Sequence, residues 1–172
     1  TIAGSGAGNI LTVTLTGTFP SADYINTALT LSGLTLEVPL TVDYLVVAGA
    51  GGSGSRNSGG GGAGGVLENF TSTSIDASVG TSYTVTVGGG GAAGAGGGNY
   101  SGSNGTNSVF DNYTAIGGGA SNLRGSNGAS GGSGGGASED NASSYVGGSG
   151  TPGPPIQGYD GGGTPLGGPC SA

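Results

Sequence analysis

Residues able to do chemistry are few in this chain, and their spacing limits what they could do. Three carboxylates fall on or beside strand-like stretches: Asp43, Glu68 and Asp76. Two facing carboxylates can hydrolyse a glycosidic bond when a cleft holds the sugar between them. With no Trp and three Phe, no aromatic lining for such a cleft is visible, and a solvated face is the better expectation. Glu139-Asp140 is a single acidic pair, and Asp160-Gly161-Gly162-Gly163 stands alone. Neither has the fixed spacing of a repeated calcium loop. The glycine runs superficially resemble phosphate cradles, Gly49–Gly54 after a strand above all. A cradle also needs a following helix and usually a Lys, and there is no Lys and no helix-forming stretch after any of them.

Composition removes whole classes of function. The only cations are Arg56 and Arg124, against a formal net charge of −7. A nucleic-acid surface needs several phosphate-neutralising cations, so nucleic acid is excluded as a partner. An anionic membrane surface is excluded for the same reason. No apolar run approaches the ~20 residues that span a bilayer. Without His and with one Cys, no zinc set can be assembled. No cofactor is expected, and neither is an enzymatic activity. Cys170 is the lone thiol; its sharper reading is an intermolecular disulfide and its plainer one an incidental exposed thiol. Five sequons mark candidate N-glycosylation sites at Asn69, Asn99, Asn104, Asn112 and Asn141. Thr1 in place of Met reads as a processed terminus and favours export.

The elements that would position these residues change character at Tyr44-Leu45-Val46-Val47-Ala48-Gly49. Only five of the 46 glycines precede Gly49 (Gly4, Gly6, Gly8, Gly17 and Gly33), whereas 17 of the 31 Leu, Ile, Val and Phe residues lie in 1–47. Thr1–Gly8 is small and is expected to be a flexible lead-in. Ile10–Thr18 alternates, with Leu11, Val13 and Leu15 on one face and Thr12, Thr14 and Thr16 on the other, the pattern of a half-buried strand. A terminal strand of this kind can complete its own sheet or a neighbour's, so Ile10, Leu11, Val13 and Leu15 are candidate assembly residues. Leu34, Leu36, Val38, Leu40 and Val42 alternate around Pro39, which cannot donate to a ladder. Tyr44, Leu45, Val46 and Val47 are apolar at every position, and a strand of that kind is expected to be central and buried on both faces.

Beyond the junction, 49–65 reads as a long glycine loop. Strands are expected at Val66–Phe70, Ser74–Val79 and Tyr83–Val87. A hairpin is expected from Val109-Phe110 to Tyr113–Ile116 across Asp111-Asn112. From Gly117 onward no alternation survives. That stretch is either irregular or packed polyglycine in a threefold, polyproline-II-like conformation, since only glycine lets backbones approach closely enough to bond side by side. Ordering it costs ~1–2 kcal/mol per residue and needs dense backbone hydrogen bonding in return. The expected fold is therefore all-β: an N-terminal arm and donor strand over 1–18, a β-sandwich-like domain over 19–116 with glycine-rich loops, and a glycine-rich region over 117–172.

Several pieces, in order, carry a resemblance: Val42-Asp43-Tyr44-Leu45-Val46-Val47-Ala48-Gly49-Ala50-Gly51-Gly52, then Gly59–Val66, Gly80–Gly88, Asn104–Phe110 and Thr114–Gly119. Together they cover roughly residues 42–136. This part of the chain resembles a glycine-rich β-domain of phage tail-fibre and tail-tip proteins and of microbial extracellular filament or surface proteins. The resemblance implies a β-scaffold with glycine-rich loops or polyglycine strands, used in fibres and adhesive surfaces, and no enzyme. Residues 1–41 and the tail from Thr151 fall outside it. The expectation is an extracellular, cell-surface or virion-appendage protein that polymerises with itself partly by N-terminal strand addition, with glycans as further partners. The other expectation is a tail-fibre or adhesin domain that binds a host surface glycan or protein.

Overall fold

The computed structural model describes residues 2–7, 10–15, 40–70, 74–78 and 80–165. The chain divides into two compact units, Thr1–Val38 and Pro39–Ala172. The first contains strands β1 (Ile2–Ala7) and β2 (Ile10–Leu15), paired antiparallel from Ile2 opposite Leu15 to Ala7 opposite Ile10. The lead-in expected to be flexible is thus itself a strand, and it is the partner of the alternating stretch.

The second unit holds seven short strands and, among the described residues, no helix. They are β3 (Leu40–Val42), β4 (Leu45–Val47), β5 (Val66–Glu68), β6 (Ile75–Ala77), β7 (Val85–Thr86), β8 (Ser108–Phe110) and β9 (Tyr113–Ala115). All pairings are antiparallel: β3 with β6, β4 with β5, and β7-β8-β9 in a three-stranded sheet. The fold class is all-β, built of small sheets with no closed barrel among the described residues. The β8–β9 hairpin turns through Asp111-Asn112 as its sequence predicts. Asp111 takes φ 51°, a left-handed value that Asp tolerates better than most residues.

A small apolar core joins the β4–β5 pair to β8 and β9. Val46, Ala48, Leu67 and Ala115 are buried, and Tyr44, Phe110 and Tyr113 pack against them. The Tyr44 ring lies 4.5 Å from Tyr113 and 5.9 Å from Phe110, centroid to centroid, within the range of favourable aromatic pairs. The expectation that Tyr44–Val47 is buried on both faces is corrected here. Val46 points into the core, but Leu45 is 57% and Val47 50% exposed. The register explains this. Leu45 lies opposite Glu68 and Val47 opposite Val66 on the outward face of β4–β5, and no second layer covers that face among the described residues.

Most of the second unit is neither strand nor loop. Its hydrogen bonds repeat every three residues, the period of a polyproline-II helix. In the stretch 48–55, the N–H groups of Ala48 and Gly51 donate to the carbonyls of Gly65 and Gly62, at 3.0 and 2.8 Å. Those of Gly49, Gly52 and Ser55 donate to Thr106, Ser103 and Tyr100, at 3.1, 2.9 and 2.9 Å. The carbonyls of Gly49 and Gly52 accept from Gly118 and Ser121, and those of Ala50 and Ser53 accept from Gly91 and Gly94. Four neighbouring stretches therefore surround 48–55. Partner numbers fall along two of them and rise along the other two, so two run antiparallel and two parallel. The same rule continues outward: Ser133, Gly136 and Glu139 donate to Ala63, Gly60 and Asn57, and Gly134 and Ala137 donate to Tyr159 and Gly162. The period-three bonding thus includes 49–65, expected as a loop, as well as the stretches after Gly117.

Glycine is required here by proximity. A methyl group on Gly49 would run into the carbonyl of Gly89, one on Gly52 into that of Ala92, and one on Gly118 into that of Gly62. Where the stretches face outward the restriction lifts: at Gly60 a methyl group meets nothing within 4 Å.

Candidate functional site

The bundle is finished by side chains that stand in for missing backbone partners. Asn107 Oδ1 accepts from Gly117 N (2.9 Å), Asn104 Oδ1 from Ala120 N (2.8 Å) and Ser101 Oγ from Leu123 N (3.0 Å). These acceptors are three residues apart, as are the donors, so one side-chain row runs antiparallel beside the backbone bonds from Gly105 to Gly118 and from Gly102 to Ser121. A second row pairs Asn127 Oδ1 with Val146 N and Ser130 Oγ with Ser149 N. Gln157 Oε1 accepts from Ile116 N while its amide donates to Thr114 O. Sequence reasoning missed these roles for Asn107, Asn127 and Gln157. The three-residue spacing of Ser101, Asn104 and Asn107 was the available signal.

Three hydroxyls form a knot inside the bundle. Ser58 Oγ lies 2.7 Å from Ser121 Oγ, which lies 3.1 Å from Ser138 Oγ. Ser138 also donates to Asn122 O at 2.6 Å. Ser121 and Ser138 are fully buried, so these bonds offset the loss of water at both hydroxyls. At the surface, Asp140 collects the Tyr145 hydroxyl (2.7 Å) and the Ala142 and Ser143 N–H groups. The Tyr145 hydrogen bond first, and then that from Ala142, hold the Asp140 carboxyl below the usual aspartate range. The same bond raises the Tyr145 phenol. Burial, then the neighbouring Tyr113 and Glu68, raise the Tyr44 phenol.

The residues singled out from the sequence fall as follows. Asp43, Glu68 and Asp76 are exposed; Asp43 accepts from Ser74 Oγ and Glu68 from Phe70 N. Among the described residues no group of three or more His, Cys, Asp or Glu gathers as a metal site. No helix among them is long and apolar enough to cross a membrane. Ile10, Leu11, Val13 and Leu15 lie on β2. Cys170 lies outside the described residues. Of the sequon asparagines, Asn69 is 3% exposed, accepts from Tyr44 N at 2.7 Å and donates to Val42 O at 3.2 Å. A glycan on Asn69 would have to displace that buried corner. Asn99, Asn104, Asn112 and Asn141 are exposed, with Asn99 and Asn104 also holding backbone N–H groups through Oδ1.

Two surface clefts carry large exposed apolar side chains in a group. One, of about 480 Å³, lies between β4 and β7–β8 and is largely aliphatic. Leu45, Val47, Val85 and Val87 border it and are 50–84% exposed. The other, of about 660 Å³, lies in the 149–160 stretch, where Ile156 and Tyr159 stand exposed beside Pro152 and Asp160. Large exposed apolar residues grouped in this way mark contact surfaces.

No curated protein and no solved structure matches the chain. A family model described as a glycine-rich domain matches residues 27–171, which take in the whole polyglycine bundle and the small sheets around it, and the chain belongs to that family.

Proposed function

We propose that the chain is a structural subunit of an extracellular filament that assembles from copies of itself, partly by β-strand addition from the N-terminal strands. The observation that supports this reading is the aliphatic face of β4 and β7, which is exposed among the described residues. It stands beside a bundle whose interior is closed mainly by backbone contacts, with Ser, Asn and Gln side chains completing the bonding. Such a bundle is a scaffold: its side chains are mostly small, and its glycines are held by proximity to neighbouring carbonyls. A rigid body that leaves strand edges and aliphatic side chains bare is suited to pairing with another chain. The acidic, Lys-free surface suits a solvated exterior, and the four exposed sequon asparagines could carry glycans there. Sedimentation velocity of the full chain beside one lacking residues 1–18 tests the reading. Large polymers whose size persists on dilution, lost on truncation, support it. Monomers from both overturn it.

A second reading, a tail-fibre or adhesin domain, is favoured by the 149–160 cleft. Tyr159 is 78% exposed and lies near Asp160, an apolar ring beside a polar acceptor of the kind that takes a sugar or a peptide side chain. That reading expects discrete oligomers and binding to cells that survives loss of residues 1–18.

A further inference from the structure

The cleft between β4 and β7 has the make-up of a strand acceptor. β4 is paired on one side only, by β5, and β7 is the edge of the β7-β8-β9 sheet. Each therefore has one row of backbone N–H and C=O groups with no ladder partner among the described residues. Unpaired edges of this kind are templates for an incoming strand. The side chains around them are mostly apolar, with Leu45, Val47, Val85, Val87 and Phe110 among those that line the cleft. A polar small molecule would find few side-chain partners here. An extended chain with apolar residues at alternate positions would find both its backbone and its side chains accommodated.

Charge and strand supply identify the occupant. Each copy carries −7, so contact between copies is least opposed where charge is absent. No charged side chain occurs before Asp23, and Asp43 is the one ionisable carboxylate bordering the cleft. β2 carries Leu11, Val13 and Leu15 at alternate positions, with threonines between. Its only ladder partner among the described residues is β1, so among those residues β2 is paired along one edge only. A two-stranded hairpin is marginal in water and gains stability by joining a third strand.

We infer that the β4–β7 cleft of one copy receives β2 of a second copy, with Leu11, Val13 and Leu15 seated against Leu45, Val47, Val85 and Val87. This deepens the filament reading and rests on it in one respect. Donor and acceptor are different surfaces of the same chain, so each contact leaves a free donor at one end and a free acceptor at the other. Repetition then gives an open filament rather than a closed dimer.

The test uses the full chain with Cys170→Ser in every variant, so that the native thiol plays no part. One preparation carries Val13→Cys and another Val87→Cys; the two are mixed and oxidised, and linked peptides are identified by mass spectrometry. A link between positions 13 and 87 must then join different chains. The inference expects that link, and expects its yield to fall at least threefold when a fivefold excess of chains carrying only Cys170→Ser competes. Repeating the mixture with Val85→Cys covers the neighbouring register, and absence of a link from position 13 to either site overturns the inference. Val87→Asp, at an 84% exposed position, is expected to keep the thermal midpoint and abolish assembly. Assembly undiminished in that variant also overturns it. Filaments without either link would sink the cleft assignment and leave the filament reading. A link without filaments would do the reverse.

Discussion

The polyglycine bundle makes a sharp prediction about methyl groups. Gly52 donates to Ser103 O at 2.9 Å and accepts from Ser121 N at 3.1 Å, so two of its neighbours are fixed by bonds. The third side of the residue faces Ala92, whose carbonyl a Cβ would strike. In Gly52→Ala the stretch 89–94 must therefore move outward, and it is held to 48–55 by two bonds, from Gly91 N to Ala50 O and from Gly94 N to Ser53 O. Weakening both costs ~0.5–1.5 kcal/mol each, and overpacking adds ~1–3 kcal/mol. The sum is about 2–6 kcal/mol, a large share of the ~5–15 kcal/mol that holds a typical domain folded. At roughly 3–5 °C per kcal/mol for a unit of this size, the thermal midpoint should fall by ~6–30 °C. The control is Gly60→Ala, where the added methyl meets nothing within 4 Å and φ is not in the left-handed region. There the change restricts the unfolded chain and should leave stability unchanged or raise it by up to ~1 kcal/mol. Scanning calorimetry of the two variants beside the parent reads the difference directly. Equal midpoints for Gly52→Ala and Gly60→Ala would refute the close-packed bundle.

Asn104→Ala removes the acceptor of the buried Ala120 N–H and should cost ~1–3 kcal/mol, read as a lower midpoint in urea. Asn112→Ala, whose amide bonds only the adjacent Asp111 carboxylate at the surface, should fall within ~0.5 kcal/mol of the parent in the same assay. Because the folded carboxyl of Asp140 titrates below its unfolded value, its contribution is present above the ordinary aspartate range and is lost as pH falls through the lowered folded value. Asp140→Asn should therefore flatten the acid limb of the stability profile measured by urea midpoint against pH. Tyr145 has the opposite sense: its raised phenol contributes below the ordinary tyrosine range, and that contribution is lost as pH rises through the folded value. Absorbance titration should show it ionising later than free tyrosine, and Asp140→Asn should move its midpoint back down toward the ordinary value.

The strands were legible wherever side chains alternate or turn residues punctuate. Leu40–Val42, Leu45–Val47, Val66–Glu68 and the Asp111-Asn112 hairpin all lie within stretches their residues predict. The bundle was legible only in outline, because glycine carries no side-chain pattern. Its three-residue period lives in backbone bonds, so 49–65 reads as a loop although 48–55 is bonded to four neighbours. The exposure of Leu45 and Val47 was hidden for a different reason. An all-apolar strand is buried on both faces only if two layers are available, and among the described residues only one face of β4 is covered. The sequons show a third limit. Asn69 and Asn104 satisfy an N-x-S/T pattern, and the fold uses their Oδ1 atoms as stand-ins for backbone carbonyls. The surface position of Leu45, Val47, Val85 and Val87, which defines the candidate acceptor, follows from how the sheets pack and not from any local pattern of residues.

Negative-stain electron microscopy of the purified full chain, at micromolar concentration and beside the chain lacking residues 1–18, tests the central claim most directly. Filaments of uniform width from the full chain and single particles from the truncated one are the predicted result. Discrete monomers or small oligomers from the full chain would contradict it and leave the 149–160 cleft as the surface to pursue.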